Sequence, residues 1–155
     1  MHHGSFFPCF LVLSWNLACR ASSCSTIHFS HIKWANDAMI IYFSTMKNDQ
    51  TEELCKKPRI IYANPFIPQL CPILSLAMYI ASVRPQESLF PASQQFDRYA
   101  SHLRQALKKS HEQPRNFGYA PEDIGSHSCR KGAATYVSSG TTLGPSTVAI
   151  AQRCG

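Results

Sequence analysis

Residues 123–132 constrain the fold more than any other stretch, because a helix has to begin inside them. Gly125 interrupts the preceding segment, Ser126 is a favoured N-cap residue, and no proline interrupts the residues that follow. The predicted helix begins near His127, which places His127 and Arg130 three residues apart on one face. Unpaired N–H groups and the positive end of the helix dipole favour an anion there. The stretch therefore predicts a site of phosphate size.

The side chains of this stretch suit phosphate chemistry. The imidazole of His127 can give or take a proton near neutral pH, and the guanidinium of Arg130 can hold two phosphate oxygens at once. A solvated helix start, in which both side chains contact only water, fits the same residues. The ten residues alone leave both interpretations open.

The composition indicates one globular domain over residues 1–155 with a basic surface. Of the 155 residues 45% are apolar, and the net charge is +6. The positive residues form clusters: Lys56, Lys57 and Arg59; Arg98, Arg104, Lys108, Lys109 and Arg115; Arg130 and Lys131. This balance is compatible with a polyanionic partner such as nucleic acid, and equally with a solvated basic face.

Cysteine usage and hydropathy indicate a protein that stays inside the cell. The seven cysteines are odd in number and irregularly spaced, which is typical of reduced thiols. The apolar run 6–17 has no Lys or Arg before it, unlike a signal peptide, and no segment approaches transmembrane length. We expect an intracellular protein, nuclear if its source is eukaryotic, with no membrane partner.

The first half of the chain predicts a helix followed by a small antiparallel sheet. A buried helix has Pro8 near its first turn, and alternation then predicts strands around Ile32 and Trp34, over 39–43 and over 59–63. Asn36 and Asp37 form the first turn, and Lys47 lies in the second.

The second half predicts helices. One begins at Cys71–Pro72 and ends before Arg84, with most of its circumference in the core (Ile73, Leu74, Leu76, Ala77, Met78 and Ile80). A second, over 97–110, buries Tyr99, Leu103 and Leu107 and exposes Arg98, Arg104, Lys108 and Lys109. The last covers 146–153. The predicted fold class is α+β, mainly α-helical, with a three-stranded antiparallel sheet.

Three cationic motifs in this order carry a resemblance to a known family. They are LACRASS at 17–23, MKND at 46–49 and SHSCRKG at 126–132. Over residues 8–155 the chain resembles the catalytic domain of tyrosine recombinases, the phage integrase family, and is most similar to Crypton-like recombinases of eukaryotic mobile elements. The resemblance implies the fold of DNA breaking-rejoining enzymes.

The resemblance also implies roles for individual residues. Arg20 and Arg130 would bind the scissile phosphate, Lys47 would protonate the leaving 5′ oxygen, and His127 would assist proton transfer. Arg20, Arg130 and Lys131 would bind DNA. The implied partner is double-stranded DNA, with a possible homo-oligomer on it, for integration and recombination. The mechanism implies no metal and no cofactor.

The chain departs from the family at the nucleophile. The family's tyrosine follows the final helix, and the only tyrosine after the His-x-x-Arg motif here is Tyr136. Six residues after Arg130 in one helix, Tyr136 is rotated by about 240° from it and should face elsewhere. Ser23 also stands where many relatives carry a carboxylate. We therefore expect a truncated or decayed recombinase that binds DNA without cutting it, or a non-catalytic DNA-binding remnant or domesticated module.

A different class of function is a small zinc module built from Cys19, Cys24, His28 and His31. The Cys-x4-Cys and His-x2-His spacings suit tetrahedral zinc, but only three residues separate the two pairs. Structural thiols and histidines at a strand end explain the same residues.

Overall fold

The computed structural model describes residues 5–43, 58–83, 86–91, 93–110, 115–139 and 144–154. These ranges contain six α-helices: α1 (Phe6–Leu17), α2 (Ala21–Ser25), α3 (Pro72–Ser82), α4 (Gln95–Lys109), α5 (Ser128–Ser139) and α6 (Thr147–Cys154). They also contain three strands: β1 (Ile32–Ala35), β2 (Ala38–Ile41) and β3 (Arg59–Tyr62). The predicted α+β class, mainly helical with a small antiparallel sheet, is confirmed.

The three strands form one antiparallel sheet in the order β1-β2-β3. Asn36, in the left-handed region at φ 54°, allows the tight turn between β1 and β2, as its residue type predicts. Met39 pairs with Ile61, and both side chains are buried on the core face. Trp34 pairs with Met39 but lies at the sheet edge and is largely exposed.

Helix α1 is the central element, because its apolar residues leave it no wholly polar face. It packs against α3, α4, α5 and β3. It begins at Phe6 with Pro8 in its first turn, as predicted, and ends at Leu17, because the left-handed backbone of Ala18 at φ 50° stops the helix. This ending directs the chain into Cys19 and Arg20.

Aromatic rings from four segments form the densest part of the core. The Phe10 ring centroid lies 4.6 Å from that of Tyr99 on α4 and 5.0 Å from that of Phe90. Tyr79 on α3 contacts Phe90 at 5.2 Å, and Phe6 contacts it at 5.6 Å. Such tilted, stacked and edge-on pairs add to the free energy of burial.

Helix α3 is less buried than its sequence predicts. Leu76 and Tyr79 are buried, whereas Leu74, Ala77 and Met78 are exposed, so the prediction of an almost wholly buried helix was wrong. The pattern identified an apolar helix, but α1 and β3 cover only one side of it. Its start is as predicted: Pro72 is the first helical residue, and the Cys71 sulfur accepts the N–H of Leu74 at 3.4 Å.

Helix α4 buries the predicted stripe, with Tyr99 and Leu103 inside the core. One of its predicted exposed cations is not exposed. The guanidinium carbon of Arg98 lies 4.1 Å from the centroid of the Phe6 ring. A long arginine side chain can place its charge over an aromatic face while its stem packs on apolar surface.

Within the described residues, no helix is both long enough and apolar enough to cross a membrane.

Candidate nucleic-acid interface

The predicted site stretch forms a tight turn that leads into α5. The Ser128 N–H donates to the Gly125 carbonyl at 3.0 Å, and the Gly125 N–H donates to the Ser128 hydroxyl oxygen, also at 3.0 Å. The Lys131 N–H donates to the His127 carbonyl at 3.1 Å. The helix begins at Ser128, one residue later than predicted, so that His127 and not Ser126 occupies the N-cap position.

The cationic residues of this turn reach the surface to different extents. His127 and Lys131 are exposed, and Arg130 is half-buried. All three lie within the first turn of α5 or directly before it, where the helix dipole favours an anion. This part of the predicted site is therefore placed where a phosphate can approach it.

Arg20 lies directly before α2 and caps that helix. Its backbone is extended at φ −68° and ψ 147°, and its carbonyl accepts the Cys24 N–H at 3.0 Å. The residues on either side of it, Cys19 and Ala21, are buried, while Arg20 itself is half-buried. Anchored neighbours of this kind restrict the backbone from which the arginine side chain extends.

The buried Tyr99 side chain of α4 contacts the start of α5. The Tyr99 hydroxyl oxygen lies 3.3 Å from the Cys129 sulfur, next to Arg130 in the chain. Burial raises the pKa of Tyr99, and the hydrogen bond with Cys129 and the nearby Cys24 thiol raise it further. Burial also raises the pKa of Cys129, with a further contribution from Cys24. Tyr99 of α4 thus contacts the start of α5, and α2 packs against the same helix α4.

Lys47, the fourth predicted member of the site, lies outside the residues that the structure describes. The structure therefore places three of the four predicted catalytic residues.

The described tyrosines differ in their suitability as nucleophiles. Tyr99 is buried, and burial raises the pKa of Tyr79 to about 12. Tyr136 is 70% exposed, but its ring lies against Trp15 of α1, with 6.3 Å between the ring centroids. A buried phenol is a poor attacking group, since its ionised form is disfavoured.

The zinc arrangement is not formed. Cys19 and Cys24 are buried in the core, whereas His28 and His31 are only partly buried. The two imidazoles stack on each other with 5.0 Å between centroids, and His28 Nδ1 lies 3.9 Å from a Glu87 carboxylate oxygen. Across the part of the chain that the structure describes, no three His, Cys, Asp or Glu residues form a group suited to a metal ion.

The histidine pair predicts a pH-dependent stability. His31 Nδ1 accepts the His28 backbone N–H at 3.1 Å, and burial, followed by the nearby His28, lowers the pKa of His31. The unfolded chain therefore binds a proton at His31 more readily than the folded one. The contribution of His31 to stability is complete above about pH 6.5 and is lost as the pH falls below that value through the lower pKa of the folded state. Melting curves at pH 7 and pH 5 should show a smaller decrease for His31→Asn, whose amide oxygen accepts without titrating. Equal decreases in the two proteins would contradict this role.

Sequence reasoning missed two features of the site region. It predicted Tyr99 to be buried but not that its hydroxyl contacts Cys129, because thirty positions separate the two residues and no local pattern connects them. It also missed the buried Arg59, although a signal was present: Arg59 alternates with Ile61 and so faces the core.

No protein-family model matches this chain, and neither a curated protein nor a solved structure matches it.

Proposed function

We propose that this chain binds double-stranded DNA as the phosphate-binding domain of a tyrosine-recombinase-like protein that acts in DNA integration and recombination. Arg20 and Arg130 hold one backbone phosphate, and Lys131 contacts a neighbouring one. His127 transfers a proton at that phosphate, and Lys47 protonates the leaving oxygen. Fixed side-chain cations neutralise the charge on the phosphate oxygens, so these roles require neither a metal nor a cofactor.

The observation that carries the proposal is the shared support under the two arginine-bearing segments. Cys129 on α5 contacts the Tyr99 hydroxyl of α4, and α2 packs against the same helix α4. Segments more than 100 positions apart are thereby held against one helix. The net charge of +6 favours a polyanionic partner.

The proposal assigns no nucleophile among the tyrosines of this chain. Tyr79 and Tyr99 are buried, and Tyr136 packs against Trp15. The second candidate function is the same DNA binding without any recombination, as in a remnant or domesticated module. The packing of Tyr136, the tyrosine that follows the His-x-x-Arg motif, against Trp15 favours it, and a cleavage assay separates the two.

A titration of a fluorescently labelled DNA duplex with the protein tests the proposal. Fluorescence anisotropy measures the affinity at salt concentrations between about 50 and 200 mM. Arg20→Ala and Arg130→Ala are each expected to weaken the affinity by about tenfold. Each should also reduce the salt slope by about 1, because one phosphate contact is lost. Arg104→Ala removes the same charge from the exposed side of α4 and is the matched control. Equal weakening by all three substitutions would contradict a defined site.

Incubation with duplex DNA followed by denaturing electrophoresis tests for strand cleavage. We expect binding without nicks and without a covalent protein–DNA adduct. A trapped adduct would show that a tyrosine of this chain attacks DNA, and its position would identify the residue.

Native electrophoresis with a longer duplex tests for oligomers. Stepwise band shifts would show that a second copy of the chain joins the first on DNA.

A further inference from the structure

A cavity of about 460 Å³ lies between α1, α5 and α6, apart from the proposed phosphate site. Its walls are mainly apolar: Trp15 and Ala18 on one side, Ala133, Tyr136 and Val137 on the second, and Pro145, Ala149 and Ile150 on the third. The alanines leave the space open, and the side chains of Trp15, Tyr136 and Val137 are exposed, so the cavity is open to solvent on one side. Its volume lies in the range of small-molecule sites.

One end of this cavity is positively charged. Arg153 lines it and donates Nη2 to the carbonyls of Asn16 at 3.3 Å and Ile60 at 3.0 Å. Arg59 lies close to Arg153 without lining the cavity, and its own Nη2 donates to the Gln152 carbonyl at 3.0 Å. Arg59 is only 5% exposed, and its buried Nε has no hydrogen-bond partner within the described ranges.

The two arginines have no counter-ion among the described residues. Burial lowers the pKa of both, and the charge of Arg153 lowers that of Arg59 further. Within the same ranges, neither guanidinium forms a salt bridge. Two neighbouring guanidinium groups of like charge, one buried and one half-buried, repel each other, so an anion at this end of the cavity would stabilise both.

We propose that this cavity binds a small amphiphilic anion, with its apolar or aromatic body between Trp15, Tyr136 and Ile150 and its acidic head group at Arg153. Arg59 strengthens the positive potential behind that head group. Carboxylate, sulfonate and phosphate heads share the required chemistry, because each presents several oxygens to a guanidinium.

Fluorescence titration with anilinonaphthalene sulfonate, compared with its uncharged analogue phenylnaphthylamine, tests the proposal. We expect one sulfonate per chain. Ala149→Phe, which fills the cavity, should weaken binding of both probes by at least about tenfold, whereas Ala151→Phe on an exposed position of α6 should not. Arg153→Met should weaken only the charged probe. Circular dichroism verifies that each variant is folded.

Competition identifies the head group. Decanoate and decyl phosphate are expected to displace the sulfonate probe, whereas decanol is not. The one of the two anions that competes at the lower concentration has the head group that fits better. Sulfonate binding that is unchanged in both Ala149→Phe and Arg153→Met would overturn the proposal. Equal displacement by decanol would overturn the role of Arg153.

Discussion

Phe10→Ala is expected to lower the free energy of unfolding by about 3–5 kcal/mol. The Phe10 side chain is fully buried, and its ring contacts Phe6, Phe90 and Tyr99 at centroid distances of 5.5, 5.0 and 4.6 Å. Removing the ring leaves a cavity, because the three neighbouring rings belong to different segments and cannot all move inward to fill it. Since domains of this size are stable by about 5–15 kcal/mol, the loss is a large share of the total.

Urea unfolding measures this loss through the shift of the midpoint at constant slope. Phe66→Ala is the matched control, because the Phe66 side chain is 92% exposed and should contribute less than about 0.5 kcal/mol. Similar losses in the two variants would show that Phe10 is not at the centre of the core.

Tyr99→Ala is expected to have an effect of similar size, about 3–5 kcal/mol, with an additional consequence for the candidate site. Tyr99 is fully buried, stacks on Phe7 and Phe10, and supports the start of α5 through Cys129. Its removal should loosen Cys129 and Arg130 as well as the core. Hydrogen exchange should show loss of amide protection in α5 as well as in α4.

Tyr99→Phe separates the hydroxyl from the ring. It keeps the aromatic packing and removes only the contact with Cys129, so a loss of about 1 kcal/mol is expected. Cys129→Ala, alone and combined with Tyr99→Phe, completes a double-mutant cycle that measures the coupling between the two groups. A loss for Tyr99→Phe as large as for Tyr99→Ala, or strictly additive losses in the cycle, would contradict the role of this contact.

Element types were largely predictable because they follow from local patterns. Period-2 alternation and the Asn36–Asp37 turn identified β1 and β2, and the stripe of Tyr99, Leu103 and Leu107 identified α4. The errors concern which side of a helix other elements pack against. The sequence could not show which side of α3 would be left without a partner, so Leu74 and Met78 were wrongly predicted to be buried.

The candidate site stays a prediction: residue type and a helix start predicted His127 and Arg130, and the resemblance predicted Arg20. The contact between Tyr99 and Cys129 and the closeness of Arg59 to Arg153 were not predictable, because both depend on packing between segments that are far apart in the chain.

The amino-acid sequence by itself determined the helices, the small sheet, the basic charge and the positions of the cationic motifs, because these depend on neighbours within a few residues. Only the tertiary structure decided that Tyr99 of α4 contacts Cys129 of α5 and that Arg98 covers Phe6. It also decided that an apolar cavity ends at Arg153. The physical reason is that burial and electrostatic environment arise from side chains that the folded backbone brings together, and no local pattern records which ones those are.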